Sequence, residues 1–271
     1  MKLSDLIKIE IFKFRNNTLV QLLLVFFTIF MSVSILVMKN IEGIPLAGGT
    51  DSIFQFPYVW EYQAYAGSWL TFLFLGFLGL YLVTSEISWK TMRQNIITGY
   101  SRLDYFIAKI LIAILISVYA TIIFYLATIA IGYFNAEDFH TDDIFDAQNY
   151  VILRFLLMTF AYVLFGMMMG FIFRKSGLAL LIYFSCILFI EPLLRWGVHY
   201  RYIAKGKSML FYPLNGIEDL TPLPFYKYIA TFSPVKDFNI LLSYQEAAVI
   251  SIISVLFFVY ISYIFLVKRD I

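Results

Sequence analysis

Charged residues are scarce in this sequence. Only 14% of the 271 residues are Asp, Glu, Lys or Arg, whereas 61% are hydrophobic, and the mean hydropathy is +0.82. Soluble domains contain about 25% charged residues, so this composition excludes an ordinary soluble domain and predicts an integral membrane protein. The 20 basic and 18 acidic residues nearly balance, which argues against a nucleic-acid partner. The single cysteine, Cys186, excludes an internal disulfide.

Residues that could carry catalysis or bind a nucleotide are also lacking. No titratable residue lies in the middle of an apolar segment, where such groups are costly and mark function. His140 and His199 have no neighbouring Cys or His that would complete a metal site. The run Gly206-Lys207-Ser208 resembles the end of a phosphate-binding loop, but Arg201 stands where that motif needs its first glycine. The sequence therefore predicts a protein that is not an enzyme and binds no cofactor.

Six apolar segments are long enough to cross a bilayer. A spanning helix needs about 20 mostly apolar residues, because the hydrocarbon layer is about 30 Å thick. The segments are continuous rather than alternating, which favours helices over strands. The predicted fold class is an all-α integral membrane protein with a single transmembrane domain over residues 1–271. Its predicted spans are 19–38, 69–84 with a start nearer 62, 106–133, 151–173, 178–194 and 247–267.

The distribution of basic residues predicts that both termini are cytoplasmic. This orientation places more than half of the 20 Lys and Arg residues on the inner side, as the positive-inside rule requires. The outer loop 195–244 is also basic, but long loops follow the rule weakly. Because this loop combines prolines with apolar clusters, we expect it to form short interfacial or re-entrant helices.

Residues 2–16 are predicted to form an amphipathic helix that lies in the membrane interface. At 100° per residue, one arc of this helix is apolar and the other is mostly charged. Glu10 is an exception, because it lies within the apolar arc. Ile7, Ile9 and Ile11 also alternate as in a strand, which remains the alternative. The apolar arc contains Leu3, Leu6, Ile7, Ile11 and Phe14.

Residues 85–105 form the longest cytoplasmic loop under this orientation. Trp89, Met92 and Ile96 share one helical face, whereas Lys90 and Arg93 share the other. The pattern allows a short amphipathic helix parallel to the membrane, and a solvated basic hairpin anchored by Trp89 is the alternative.

Two further sets of residues predict helix contacts. Small residues let helix backbones approach closely, above all when they are four positions apart as Gly166 and Gly170 are. We assign this packing role to Gly76, Gly79, Gly166 and Gly170. Glu191 and Arg195 are also four residues apart, near the outer end of the fifth span. We expect them to form an ion pair at the outer interface.

The most specific stretch of the sequence runs from Glu86 to Lys109. It resembles the permease subunits of bacterial ABC-2 type transporters, in which a Glu ends span two, a Gly-Thr-hydrophobic-Arg turn follows, and Ser-Arg and a Lys open span three. In this sequence Lys90 replaces the glycine of that pattern. The matching residues are Glu86, Thr91-Met92-Arg93, Ser101-Arg102 and Lys109.

The resemblance implies a bacterial inner-membrane protein that works with two copies of a cytoplasmic ATPase subunit and with a second permease protomer. ATP and Mg²⁺ would bind to the ATPase subunit. Spans one and five would line the protomer interface and the transport path, and their apolar lining would suit an amphipathic, peptide or lipid-like cargo moved outward. The residues that would couple to the ATPase are Glu86, Trp89, Lys90, Thr91, Met92, Arg93, Ile96 and Arg102.

Two other functions remain open at this point. A membrane scaffold or sensor that transports nothing would use the same 85–105 loop to recruit a cytoplasmic partner. An intramembrane enzyme is less favoured, because such an enzyme needs polar groups within the bilayer.

Overall fold

The computed structural model describes residues 3–37, 53–97, 99–135, 150–204, 206–224 and 241–268, and these residues form helices and turns without a strand. The all-helical prediction is therefore confirmed for this part of the chain. Predictions that fall on residue 2, Met38, residue 98 and residues 225–240 lie outside it.

Of the described helices, α3, α5, α6 and α10 are each long and apolar enough to cross a membrane. The pairs α1 with α2 and α7 with α8 qualify only if each bent pair is one span, so the candidate spans number four to six. In chain order the helices are α1 (Leu3–Arg15), α2 (Thr18–Val33), α3 (Tyr58–Ser88), α4 (Thr91–Ile97), α5 (Arg102–Asn135), α6 (Val151–Phe173), α7 (Ser176–Ile190), α8 (Leu193–Ile203), α9 (Pro213–Glu218) and α10 (Tyr244–Val267).

A sharp bend separates the amphipathic helix α1 from α2. The two helices meet at 91°, which is the geometry expected if α1 lies along the membrane surface and α2 enters it. Asn17 begins α2, because its side-chain oxygen accepts hydrogen bonds from the backbone N–H of Leu19 and Val20. Its amide group also donates to the Tyr81 hydroxyl at 3.0 Å, so the bend is fixed to α3.

Helix α6 forms the centre of the bundle and is the most buried of the four long helices. It contacts α3 closely through the glycines that the sequence singled out. A Cβ on Gly166 would overlap the carbonyl oxygen of Gly76, and one on Gly79 would overlap the carbonyl oxygen of Val163. A Cβ on Gly170 would lie 3.0 Å from the carbonyl oxygen of Leu80. The two backbones therefore approach closely along about two helical turns.

The fifth predicted span extends further than expected. The prediction ended it at 194 and placed a loop from 195, but α8 continues to Ile203. Pro192 lacks an N–H group and interrupts the hydrogen-bond ladder, so the chain bends by 40° between α7 and α8 and then resumes as a helix. The prediction placed a loop here because Arg195 and Arg201 interrupt the apolar sequence and prolines follow from Pro213 onward.

A π-helical turn widens α3 at Thr71–Gly76. Such a turn shifts the backbone hydrogen bonds by one residue and frees a carbonyl group. The Tyr183 hydroxyl of α7 donates to the carbonyl oxygen of Phe72 at 2.8 Å. The hydroxyl is also too close to Gly76 for any side chain at that position, which explains a second requirement for glycine there.

We predict that Gly166→Ala destabilises the bundle, because the new methyl group must push α3 away from α6. Overpacking of this kind costs about 1–3 kcal/mol. Gly177→Ala is the matched control, since a Cβ there meets no atom within 4 Å. Thermal unfolding in detergent should show a lower melting temperature for Gly166→Ala and an unchanged or higher one for Gly177→Ala. Equal melting temperatures would contradict the close α3–α6 contact.

Candidate functional site

One end of the bundle brings together α1, α4 and the turn between α6 and α7. Helix α3 ends and α5 begins at the same level, and the Ser176 hydroxyl of α7 donates to Thr84 of α3 at 3.0 Å. We call this end the α4 face. The end that carries α9 is the opposite face.

Four charges, three of them buried, form a network beneath the α4 face. The ammonium group of Lys109 lies 2.6 Å from Glu10 Oε2 and 2.9 Å from Glu86 Oε1. The ammonium group of Lys13 lies 2.6 Å from Glu10 Oε1 and 3.2 Å from Glu86 Oε1. Because Glu10 and Lys13 belong to α1, Glu86 to α3 and Lys109 to α5, the network joins three helices. Its two positive and two negative charges cancel.

The network is shielded from solvent. Lys109 is fully buried, Glu10 and Glu86 are buried, and only the Lys13 side chain reaches the surface, with 20% exposed. The Lys109 ammonium group also lies 4.9 Å from the ring centre of Phe14 and 5.1 Å from that of Tyr105, where aromatic faces attract cations. Isolated charges could not remain ionised here, so each one depends on its partners.

Only part of this network was predicted from the sequence. Glu86 and Lys109 were singled out, but as members of a loop pattern and not as a pair. Glu10 appeared only as an acidic residue on the apolar arc of α1. The position of Glu10 on that arc was the sequence signal for the network, because an ionised acid on a buried helix face requires a cation beside it. The structure supplies it: Leu6, Glu10 and Phe14 form the buried face of α1.

Helix α4 follows α3 after a turn at Lys90. Lys90 has a φ of 58°, a left-handed conformation that stops α3 and explains why glycine would fit this position. The Thr91 hydroxyl donates to the Glu86 carbonyl oxygen at 3.3 Å. The short amphipathic helix predicted for this loop is therefore present, and it starts directly beside the charge network.

The predicted contact face of α4 needs a correction. Met92 is 5% exposed and belongs to the protein's own core, so it does not join Trp89 on an outer face. Ile96 is half-buried. The exposed apolar side chains are Trp89 at 77% and Ile97 at 75%. The error arose because helical periodicity was continued from Trp89, which lies in the turn before α4.

Basic residues of the segment point in different directions. Lys90 and Arg93 are exposed. Arg102, at the start of α5, donates to the carbonyl oxygens of Leu266 and Val267 and so satisfies the end of α10, where helix carbonyls lack partners. Arg102 therefore connects the last helix to the α4 face.

A second buried ion pair lies at the opposite face. Arg154 of α6 is 2.8 Å from Glu61 of α3 and also donates to the Leu220 carbonyl oxygen at 2.6 Å. Its guanidinium group stacks on the Tyr244 ring at 3.7 Å from the ring centre. This arrangement joins α3, α6 and α10 at that end.

Glu191 and Arg195 are arranged differently from the predicted ion pair. The Glu191 carboxylate accepts hydrogen bonds from the backbone N–H groups of Leu214 and Asn215 at 3.0 and 2.6 Å, and so holds the start of α9. Arg195 is buried, and its Nε has no hydrogen-bond partner among the described residues. Arg195 acts on the Glu191 carboxylate through the attraction of its positive charge.

Asp219 is a buried carboxylate just after α9. Its Oδ2 accepts hydrogen bonds from the Leu242 backbone N–H and the Asn215 amide, both at 3.0 Å. Burial raises the pKa of Asp219 from 3.8 to about 7, although the hydrogen bond from Leu242 acts in the other direction.

Within the described ranges, no group of three or more His, Cys, Asp or Glu side chains is placed to hold a metal ion.

We predict that Lys109→Met lowers the free energy of unfolding by about 3–5 kcal/mol, because it leaves two buried carboxylates with one cation. Adding Glu10→Gln should recover part of the loss, since Lys13 and Glu86 then remain as a neutral pair. Chemical unfolding in mixed micelles measures both changes.

Lys207→Met is the control for this experiment. Lys207 forms an exposed pair with Glu246 at 2.7 Å, and such pairs contribute about 0–1 kcal/mol. If Lys109→Met and Lys207→Met have equal effects, or if Glu10→Gln only adds to the loss, the charge network does not stabilise the fold.

We also predict a pH dependence from Asp219. Because its pKa is higher in the folded protein than the ordinary 3.8, the folded state binds more protons between these values, and stability falls as pH rises from about 4 to 7. Asp219→Asn keeps the acceptor oxygen and loses the charge. Its melting temperature in detergent should match the wild type near pH 4 and exceed it at pH 8; parallel pH curves would contradict this assignment.

Comparison with known proteins gives one family. A comparison with curated proteins finds no match. The family model described as "ABC-2 family transporter protein" matches residues 6–190, which is more than half of the chain. The matched part includes Glu10, Glu86 and Lys109, and therefore all three helices of the charge network. The resemblance seen in the sequence is confirmed: this chain is a membrane-spanning protein of the ABC-2 transporter family.

Proposed function

We propose that this chain is the permease subunit of an ABC exporter, driven by ATP hydrolysis in a separate ATPase subunit. Membership of the ABC-2 family implies a permease that pairs with an ATPase subunit and typically forms dimers. The finer assignment rests on one observation. The four-charge network joins α1, α3 and α5 at one end of the bundle, and α4 begins beside it, where the Thr91 hydroxyl donates to the Glu86 carbonyl oxygen.

In this proposal the α4 face is cytoplasmic, as are both termini, and the protein lies in the bacterial inner membrane. The spacing of charges along α3 supports a membrane-spanning position for this helix, and the distribution of basic residues supports the orientation. Glu61 and Glu86 are buried in ion pairs at its two ends, and no charged residue lies between them. At 1.5 Å per residue they are about 37 Å apart, slightly more than the thickness of the hydrocarbon layer.

Two permease protomers and two ATPase subunits make up the proposed transporter. ATP and Mg²⁺ bind in the ATPase subunits, whereas this chain carries the transport path. Helices α2 and α7 would face the second protomer, as spans one and five do in this family. Their many exposed apolar side chains support that role, among them Leu22, Phe26, Phe30, Leu181 and Phe189.

The network gives the proposed coupling a mechanical route. Closure of the ATPase subunits would push on α4, which is only two residues from α3 and is bonded to Glu86 through Thr91. Because Glu86 is held by Lys109 and by α1, the push moves α1 and the adjoining ends of α3 and α5 together. A flexible surface loop would absorb such a push instead of passing it on.

The proposed cargo is an amphipathic, peptide or lipid-like molecule that moves outward. The support is the mostly apolar character of α2 and α7, neither of which contains a charged residue. The residues in and beside α4 act in coupling in this proposal and not in cargo recognition. They are Glu86, Lys90, Arg93, Ile96 and Arg102.

We predict that Trp89→Ala/Ile97→Ala weakens binding of the ATPase subunit by about tenfold or more, because exposed aromatic and aliphatic side chains are the usual anchors of an interface. Co-purification from native membranes in mild detergent measures this, scored by ATP hydrolysis and by a bound subunit with a phosphate-binding loop. Phe12→Ala is the control, since Phe12 is also 77% exposed but lies on α1.

The possible results separate the alternatives. Loss of the ATPase from the double variant, with Phe12→Ala unaffected, supports coupling through α4. If the wild type retains no ATPase, the transporter proposal fails and a scaffold or sensor becomes the better explanation. If both variants keep the ATPase, Trp89 and Ile97 are membrane anchors.

A further inference from the structure

A small basic pocket opens on the α4 face, separate from the charge network. Its volume is about 180 Å³, and it lies between α4 and the turn that joins α6 to α7. Ile87 and Met92 provide its apolar surface, and Lys90, Arg93 and Arg174 bring three cations to it. Its described lining contains no acidic residue.

Two of the three cations occupy unfavourable backbone conformations. Lys90 has a φ of 58° and Arg174 a φ of 57°, a region that side chains with a Cβ rarely adopt and that glycine adopts freely. Glycine is also the residue that the family pattern has at position 90. When such a conformation holds a long charged side chain, the side chain itself is a candidate for function.

Helix dipoles explain only part of this arrangement. Lys90 and Arg174 follow the carboxyl ends of α3 and α6, where cations are favourable. Arg93 has the opposite position, because it lies in the first turn of α4, where a cation is unfavourable. The helix ends therefore do not account for the cation of Arg93 at this pocket.

We infer that the partner ATPase subunit inserts an acidic side chain into this pocket, a conclusion that rests on the proposed function and names the chemistry of its docking site. A carboxylate fits the pair of donors on an arginine and accepts from a lysine as a point charge. The apolar floor of Ile87 and Met92 lowers the local dielectric and strengthens this attraction. The exposed Trp89 beside Lys90 supplies an apolar contact at the rim.

The pocket also implies a second point of attachment. Lys90 and Arg93 belong to the α3–α4 segment, whereas Arg174 belongs to the turn before α7. A carboxylate held between them connects the ATPase to both segments at once. Movement of the ATPase is then passed to α6 and α7 as well as to α3 and α5.

Lys90→Gly tests this inference without damaging the fold. Glycine relieves the backbone strain, so the melting temperature should stay the same or rise, while the cation is lost. We expect the Kd of the purified ATPase subunit for the permease in detergent to rise roughly three- to tenfold at low salt. The difference from wild type should shrink at high salt, because salt screens charge pairs. Arg93→Gln should act in the same direction.

Lys175→Gln is the matched control. Lys175 is exposed and follows Arg174 directly, but it does not line the pocket, so the same loss of charge should change the Kd less than twofold. Arg174 also interacts within the chain, and the test therefore uses Lys90 and Arg93. If the partner has a matching acid, replacing it by Lys should restore binding to Lys90→Glu.

The outcomes distinguish this inference from the proposed function. If the wild type binds no ATPase, the proposed function itself fails. If the wild type binds it and Lys90→Gly and Arg93→Gln bind equally well, the function stands and the acidic contact is wrong. The contact is also wrong if these variants leave ATPase binding unchanged and weaken only the binding of the permease to phosphatidylglycerol in vesicles. The pocket would then hold a lipid phosphate.

Discussion

The Lys109 ammonium group has no access to solvent and contacts Glu10 and Glu86 at 2.6 and 2.9 Å. A buried cation without partners would be too costly to keep, so α1 and the ends of α3 and α5 have to meet around it. Lys13 completes the neutral set. The position of α1 against the bundle, the bend before α2 and the start of α4 all follow from this requirement.

The same principle applies at the opposite face, where Arg154 and Glu61 form a buried pair. Helix α3 is therefore fixed by ion pairs at both ends, with an apolar stretch between them. Its contact with α6 is formed by glycine backbones, and an added side chain there would overlap the backbone of the facing helix. We expect a helix held at both ends to transmit displacement along its length. Its π-helical turn near Phe72 is where its hydrogen-bond pattern departs from that of a regular helix.

The sequence predicted much of the bundle because apolar length and composition alone determine which segments can span a membrane. The glycines at 76, 79, 166 and 170 were also found, since small residues on membrane helices commonly mark close helix contacts. The continuation beyond residue 194 was missed because Arg195, His199 and Arg201 end the apolar run by which a span is recognised. Met92 was placed on the wrong face because the boundary between Trp89 and α4 depends on a left-handed residue that periodicity does not reveal. Glu10 and Lys109 are 99 residues apart, so their pairing follows from the fold and not from local pattern.

The central claim is that the network makes α1 and α4 one rigid unit during the transport cycle. Spin labels on Lys8→Cys and Gln94→Cys, with Cys186→Ser, would report the distance between these helices by double electron–electron resonance. Both sites are exposed. In the complex with the ATPase subunit, the account predicts one narrow distance distribution that is the same without nucleotide and with trapped ATP. A distance that changes with nucleotide would contradict it, because α1 would then move independently of the coupling helix.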